Sequence, residues 1–102
     1  MVLATQPDMN LVAQASNGRE AIQQFRQHHP DITLMDLQMP AMNGLEAMVA
    51  IRNEFPEAKI IVLTTYESDV EGAMKLGARA YLLKTRLDKE LLGTIRTVYS
   101  GD

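Results

Sequence analysis

The chain has 102 residues, 46% apolar and 23% charged, a net charge of −3 and no cysteine. That is enough for one hydrophobic core and not two, in an ordinary globular composition, and it excludes disulfides and thiolate metal sites, as suits a reducing cytoplasm. The mild acidity gives no reason to expect nucleic-acid binding by this segment, no apolar run approaches a membrane span, and Met1-Val2-Leu3-Ala4 lacks the basic start of a signal peptide.

Four short apolar runs alternate with helical patterns. Leu11-Val12-Ala13-Gln14-Ala15 is the first run, and Asn17 and Glu20 then stand at capping-box spacing ahead of Ala21, Ile22 and Phe25. His28 and His29, just before Pro30, decorate the end of that helix, where a cation suits the dipole. Ile32-Thr33-Leu34-Met35 runs straight into Asp36; a proline and a glycine turn follow, and the next helix begins near Gly44. Leu45, Met48, Ile51 and Phe55 recur at helical spacing until Pro56 stops them. Ile60-Ile61-Val62-Leu63 leads to Thr64, and a shorter helical pattern over Val70, Ala73, Met74 and Leu76 ends at Gly77 as its C′ residue. Tyr81-Leu82-Leu83 leads to Lys84, and Leu87, Leu91, Ile95 and Val98 line one face of a last helix that Asp88 is placed to cap. Apolar runs with little alternation suit parallel strands covered on both faces, so the expected fold is a doubly wound α/β sheet.

Three strand ends thus carry an acid, a hydroxyl and a lysine, in that order. Singly, each has a plain structural reading. An aspartate at a strand end forms turns or caps helices, Thr64 and Thr65 suit a strand, a lysine is a solvated charge, and Tyr81 is an amphipathic edge residue. Arg86, Lys89 and Arg96 read as solvated charges, and the Leu and Met stripes as core. Jointly, the three ends stand where open α/β sheets place their ligands.

With the stretches Met35-Asp36-Leu37-Gln38-Met39-Pro40-Ala41-Met42-Asn43-Gly44 and Gly77-Ala78-Arg79-Ala80-Tyr81-Leu82-Leu83-Lys84, the chain resembles the receiver domain of bacterial response regulators, closest to the NarL/FixJ group, from about Leu11 to Gly101. The resemblance implies a flavodoxin-like (CheY-like) fold and a phosphoryl group taken from a histidine kinase onto Asp36. It makes Thr64 the switch hydroxyl, Lys84 the phosphate-contacting lysine and Tyr81 the aromatic that turns inward when Thr64 moves. Gln38 matches the position whose backbone carbonyl binds Mg²⁺, with Asp36 as a carboxylate ligand. The chemistry is consistent with these roles. Asp36 attacks phosphorus only as a carboxylate, and the charge spread over the transferring oxygens needs donors and cations. A lysine at ~4 Å is worth roughly 4 kcal/mol at an effective dielectric near 20, before desolvation.

Three departures from the family pattern carry expectations. The family opens with an apolar strand ending in two acidic residues, whereas Met1 to Asp8 looks like the tail of the first helix and the loop after it. On that reading residues 1–102 are a receiver domain without its first strand and most of its first helix. Neither Asp8 nor Asp31 stands where the acidic pair would, so Mg²⁺ is expected to bind weakly and phosphorylation to be poor. That first strand is central in the family order, so Leu11 to Ala15 is expected to pair with the Ile32 run directly, or another chain to fill the gap as a homodimer or strand-swapped oligomer, or the sequence to be a fragment. Second, the Thr64–Lys84 spacing is two residues shorter than the group's, around Val70-Glu71-Gly72. A two-residue deletion rotates the rest of a helix by ~200° about its axis, so that helix is expected to be short or irregular. Third, Thr85 stands where many receivers have proline, which excludes a cis X-Pro bond there.

The leading reading is therefore a cytoplasmic signalling receiver and not an enzyme, acting on transcription and reaching DNA only through a domain beyond this segment. A receiver-like interaction module that takes no phosphate is the alternative. An aspartate-nucleophile phosphatase is disfavoured because Gln38 replaces the second aspartate it needs, and a nucleotide site because there is no glycine-rich phosphate loop.

Overall fold

A computed structural model describes residues 17–37 and 44–101 of the chain. In order these form α1 (Gly18–His28), β1 (Thr33–Asp36), α2 (Gly44–Glu54), β2 (Ile60–Thr64), α3 (Val70–Lys75), β3 (Ala80–Leu83) and α4 (Leu87–Ser100), with 3₁₀ turns at Glu67–Asp69 and Lys84–Arg86. The expected run Leu11 to Ala15 lies outside the described residues, and with it the question of what covers the outer edge of β1.

The three strands are parallel in the order β1-β2-β3, with Met35 opposite Val62 and Val62 opposite Tyr81. β2 thus lies between the other two described strands, and its apolar run is buried on both sides, as a parallel sheet between helices requires. Ile60 and Val62 face one core with Met35, Phe25, Ala47, Met48, Ile51 and Ala73, beneath α1, α2 and α3. Ile61 faces the other core with Leu82, Leu91, Ile95 and Val98, beneath α4. The doubly wound α/β expectation holds for the described residues.

Local signals explain most helix ends. Asn17 caps α1, its side-chain oxygen accepting from the Glu20 N–H at 3.0 Å, but Glu20 Oε1 accepts from the Asn17 side-chain amide at 3.2 Å, so the reciprocal half of the box runs side chain to side chain. His28 and His29 do close α1, and His29 takes a left-handed conformation, its ring edge-on to Phe55 at 5.0 Å. α3 is short, as the spacing predicts, and is prefaced by the 3₁₀ turn; it ends in a Schellman arrangement with Gly77 at φ +112° and the Ala78 N–H donating to Ala73 O. One expectation fails. Asp88 lies inside the first turn of α4 and the N-cap position falls to Arg86, which makes no side-chain cap bond. The 3₁₀ turn at Lys84–Arg86 leads straight into α4 and leaves no extended residue where Asp88 would cap.

Two surface contacts tie elements together. Arg26 at the end of α1 donates to both Glu54 carboxylate oxygens, at 3.1 and 2.8 Å, and this partner raises the guanidinium pKa above its ordinary value. At the far end of α4, Lys59 donates to the Tyr99 carbonyl at 3.1 Å and lies over its ring. No described helix is long and apolar enough to cross a membrane.

Candidate functional site

Parallel strands bring their carboxyl ends to one edge of the sheet, and there the structure gathers the end residues of all three. Asp36 closes β1, Thr64 closes β2 and Lys84 follows β3. Because β2 lies between the other two, the outer strands are roughly 10 Å apart at ~4.8 Å per strand. The lysine stem spans that gap across the end of β2, and its Nζ stands 3.0 Å from Asp36 Oδ1. Both side chains are about one-third exposed, at 33% for Lys84 and 36% for Asp36. At that exposure solvent screens most of the attraction, leaving a net contribution nearer ~1 kcal/mol than the roughly 4 kcal/mol of the bare Coulomb figure. The contact positions a cation at a carboxylate more than it stabilises the fold.

The end of β1 is held from below by α2. Gly44 is buried, and a Cβ built on it would lie 2.8 Å from the Asp36 carbonyl carbon and from Leu37 Cα. The absence of a side chain lets the start of α2 rest on the backbone that carries Asp36.

Thr64 is completely buried (0% exposed). Its oxygen lies 3.1 Å from Asp69 Oδ2 and accepts from the Tyr66 N–H at 3.2 Å, so the hydroxyl is engaged with the loop after β2. Asp69 is the residue that sequence reasoning missed. A carboxylate five positions beyond a strand-end threonine carries no motif, and only the 3₁₀ turn at Glu67–Asp69 folds it back. Tyr81 is not brought into the cluster: it sits mid-strand on β3, 45% exposed, on the face opposite Leu82. Gln38, Met39, Pro40 and Asp8 lie outside the described residues. Asp31 precedes β1 at the other end of the sheet, in a shallow groove with Phe25, His29, Lys59 and Tyr99.

A Mg²⁺ ion takes carboxylate and carbonyl oxygens in a strict octahedron. Among the described residues no three His, Cys, Asp or Glu side chains converge on such a position, and Asp36 itself is paired to Lys84. This described donor set does not by itself fit the ion.

The family model for the response regulator receiver domain matches residues 2–96. Oxygen regulatory protein NreC of Staphylococcus haemolyticus is 43% identical over 105 residues, covering 100% of this chain and 48% of the relative. The chain therefore spans about half the length of the curated relatives it matches. Among solved structures, the response regulator domain of Thermotoga maritima CheB superposes with a TM-score of 0.91 at 29% identity, over 99% of this chain and 84% of that one. A LuxR-family DNA-binding response regulator from Staphylococcus aureus gives a TM-score of 0.83 at 33% identity, over 90% of this chain and 78% of that one.

Proposed function

We propose that this chain, which belongs to the response regulator receiver domain family, takes a phosphoryl group from a histidine kinase onto Asp36 and thereby changes the surface it offers to partners. The family is one of signalling domains and not of enzymes. The observation that carries the reading is the approach of Lys84 Nζ to within 3.0 Å of Asp36 Oδ1 at the carboxyl edge of the sheet. The carboxylate is the nucleophile. A P–O bond forms at Asp36 as the P–N bond of the kinase phosphohistidine breaks, and the imidazole leaves with the electron pair and is protonated. Lys84, a point charge on a flexible stem, follows the oxygens as charge builds on them. Thr64 supplies a hydroxyl that can be drawn to the acyl phosphate, and the exposed Tyr81 ring reports the change on the α3, β3 and α4 side. One similar solved protein is a DNA-binding response regulator, and by extension the change in this chain controls transcription through a region outside residues 1–102.

Incubation with a small acyl-phosphate donor and Mg²⁺, followed by intact-mass and peptide analysis, tests the assignment. A hydroxylamine-labile phosphoryl group on the Asp36 peptide is expected, with none on Asp36→Asn. Lys84→Ala is expected to cut the labelling rate by at least about tenfold, as loss of a charged contact to the transferring group does. Labelling that survives Asp36→Asn sinks the acceptor assignment. The second reading is an interaction module that takes no phosphate, favoured by a described donor set that does not by itself fit Mg²⁺; it predicts no labelling of the unaltered chain.

A further inference from the structure

We infer that Asp69 is a positioning residue for this site: it holds the Thr64 hydroxyl in the loop after β2 and sets how readily that hydroxyl is released toward Asp36. The inference rests on the reading of Asp36 as phosphoacceptor only for its second half. A threonine hydroxyl has one proton to give and two lone pairs to receive with. The Thr64 oxygen already receives the Tyr66 N–H at 3.2 Å. The acceptors within reach of its proton include Asp69 Oδ2 at 3.1 Å and the Tyr66 carbonyl at 3.4 Å. The carboxylate is both nearer and anionic, and charge-assisted bonds of this kind are roughly twice as strong as neutral ones. The proton therefore belongs to Asp69.

A single proton cannot serve two acceptors. A phosphoryl oxygen on Asp36 that draws the Thr64 hydroxyl has to take it from Asp69, so the two anions compete for one donor. The placement of Asp69 suits the role. It stands at the N-cap position of α3, where a carboxylate ordinarily binds the first free N–H groups, yet it makes no such cap bond. Its carboxylate is turned back to β2 instead. Thr64 is fully buried in the intact chain, and removal of the Asp69 carboxylate leaves the longer bond to the Tyr66 carbonyl among the acceptors its hydroxyl keeps, in competition with whatever Asp36 carries. The competition lies in the loop that joins the proposed switch hydroxyl to α3, which makes Asp69 a determinant of how much modification is needed to move Thr64.

The test uses the whole chain with ¹³C-methyl labels on threonine, isoleucine and valine, and begins with no phosphodonor present. Asp69→Ala is expected to shift the Thr64 methyl resonance, and Asp69→Asn to return it most of the way, since the amide oxygen still accepts. The Ile61 and Val62 methyls, buried in the neighbouring positions of β2, are expected to stay in place and so to show that the fold is intact. With a small acyl-phosphate donor and Mg²⁺ added, Asp69→Ala is expected to be labelled about fivefold faster than the unaltered chain, the effect of removing one competing hydrogen bond to a charged group. A Thr64 methyl that does not respond to Asp69→Ala overturns the inference outright. A methyl that responds while labelling is no faster overturns the competition. Labelling that persists in Asp36→Asn, or fails in every variant, overturns the phosphoacceptor reading instead, and the Thr64 methyl still decides whether Asp69 holds the hydroxyl.

Discussion

Gly44→Ala is expected to destabilise the chain by about 3 kcal/mol, a penalty at the upper end of overpacking changes. In a domain of this size that lowers the thermal midpoint by about 15 °C. The reason is spatial: the added Cβ would lie 2.8 Å from Leu37 Cα and from the Asp36 carbonyl carbon, and closer still to the carbonyl oxygen. All three are backbone atoms, which cannot rotate away as the tip of a side chain can. Alanine's better helix propensity, ~1 kcal/mol over glycine, works the other way and is outweighed. Relief of the clash has to separate the start of α2 from the end of β1, so Asp36 is displaced relative to Lys84 and labelling should slow as well. Gly93→Ala is the matched control. It lies within α4, and a Cβ there meets nothing within 4 Å. Helix propensity then acts alone, and that variant should gain roughly 0.5–1 kcal/mol. Melts followed by circular dichroism decide both, and equal midpoints for the two variants would refute the packing argument.

Ile60→Ala should cost about 3 kcal/mol, within the range for truncating a fully buried aliphatic side chain. Ile60 is 0% exposed and sits on β2 opposite Thr33 of β1, in one core cluster with Met35 and with Ala47, Met48 and Ile51 of α2. Its neighbours are held by strand pairing on both sides of β2, which limits how far they can collapse into the space left behind. Unfolding in urea is the measurement, with a midpoint shift at unchanged slope as the expected form. A cost below ~1 kcal/mol would mean that the core over β2 relaxes freely, contrary to its close packing. The backbone of Thr64 and Asp36 is untouched, so the folded variant should still accept label at Asp36.

The sheet edge was legible in the sequence because each strand is a short apolar run that stops at a polar residue with distinct chemistry. Asp36, Thr64 and Lys84 could be named without knowing which strands touch, since parallel strands alternating with helices send all their ends one way. The C′ glycine at position 77 was equally readable, and Gly44 was legible as the start of a helix, but its close approach to the backbone of Asp36 and Leu37 appears only in the structure. What escaped was decided by local geometry across a few residues. The Asp88 cap failed because a 3₁₀ turn runs directly into α4 and shifts the helix start past the expected position. Asp69 escaped because another 3₁₀ turn brings it onto Thr64, and nothing in residue types or periodicity announces that turn. His29 reads as a helix-end cation, but its edge-on packing against Phe55 depends on α1 and α2 lying side by side. Strand limits moved by one residue, β1 running from Thr33 to Asp36 where the apolar run starts at Ile32, and this shift makes the acid the last member of the strand.

The order β1-β2-β3 also governs how the chain acquires its acid–lysine contact as it folds. Parallel neighbours cannot be joined by a tight hairpin; each pairing waits until an intervening helix has formed and carried the chain back across the sheet. Such non-local pairings are slow beside helix formation, and each pays its loop-closure entropy before any contact repays it. Asp36 ends β1 and Lys84 directly follows β3, the two strands that flank β2 among the described residues, so their contact needs both pairings with β2 to be complete. No partly folded species that has zipped only one side of β2 can hold it. The same dependence runs in reverse during unfolding: loss of β3 and α4 alone separates the lysine from the acid while β1 and β2 remain paired. The ion pair therefore marks the joining of the three described strands, and a nascent or damaged chain is without it until β3 is in place.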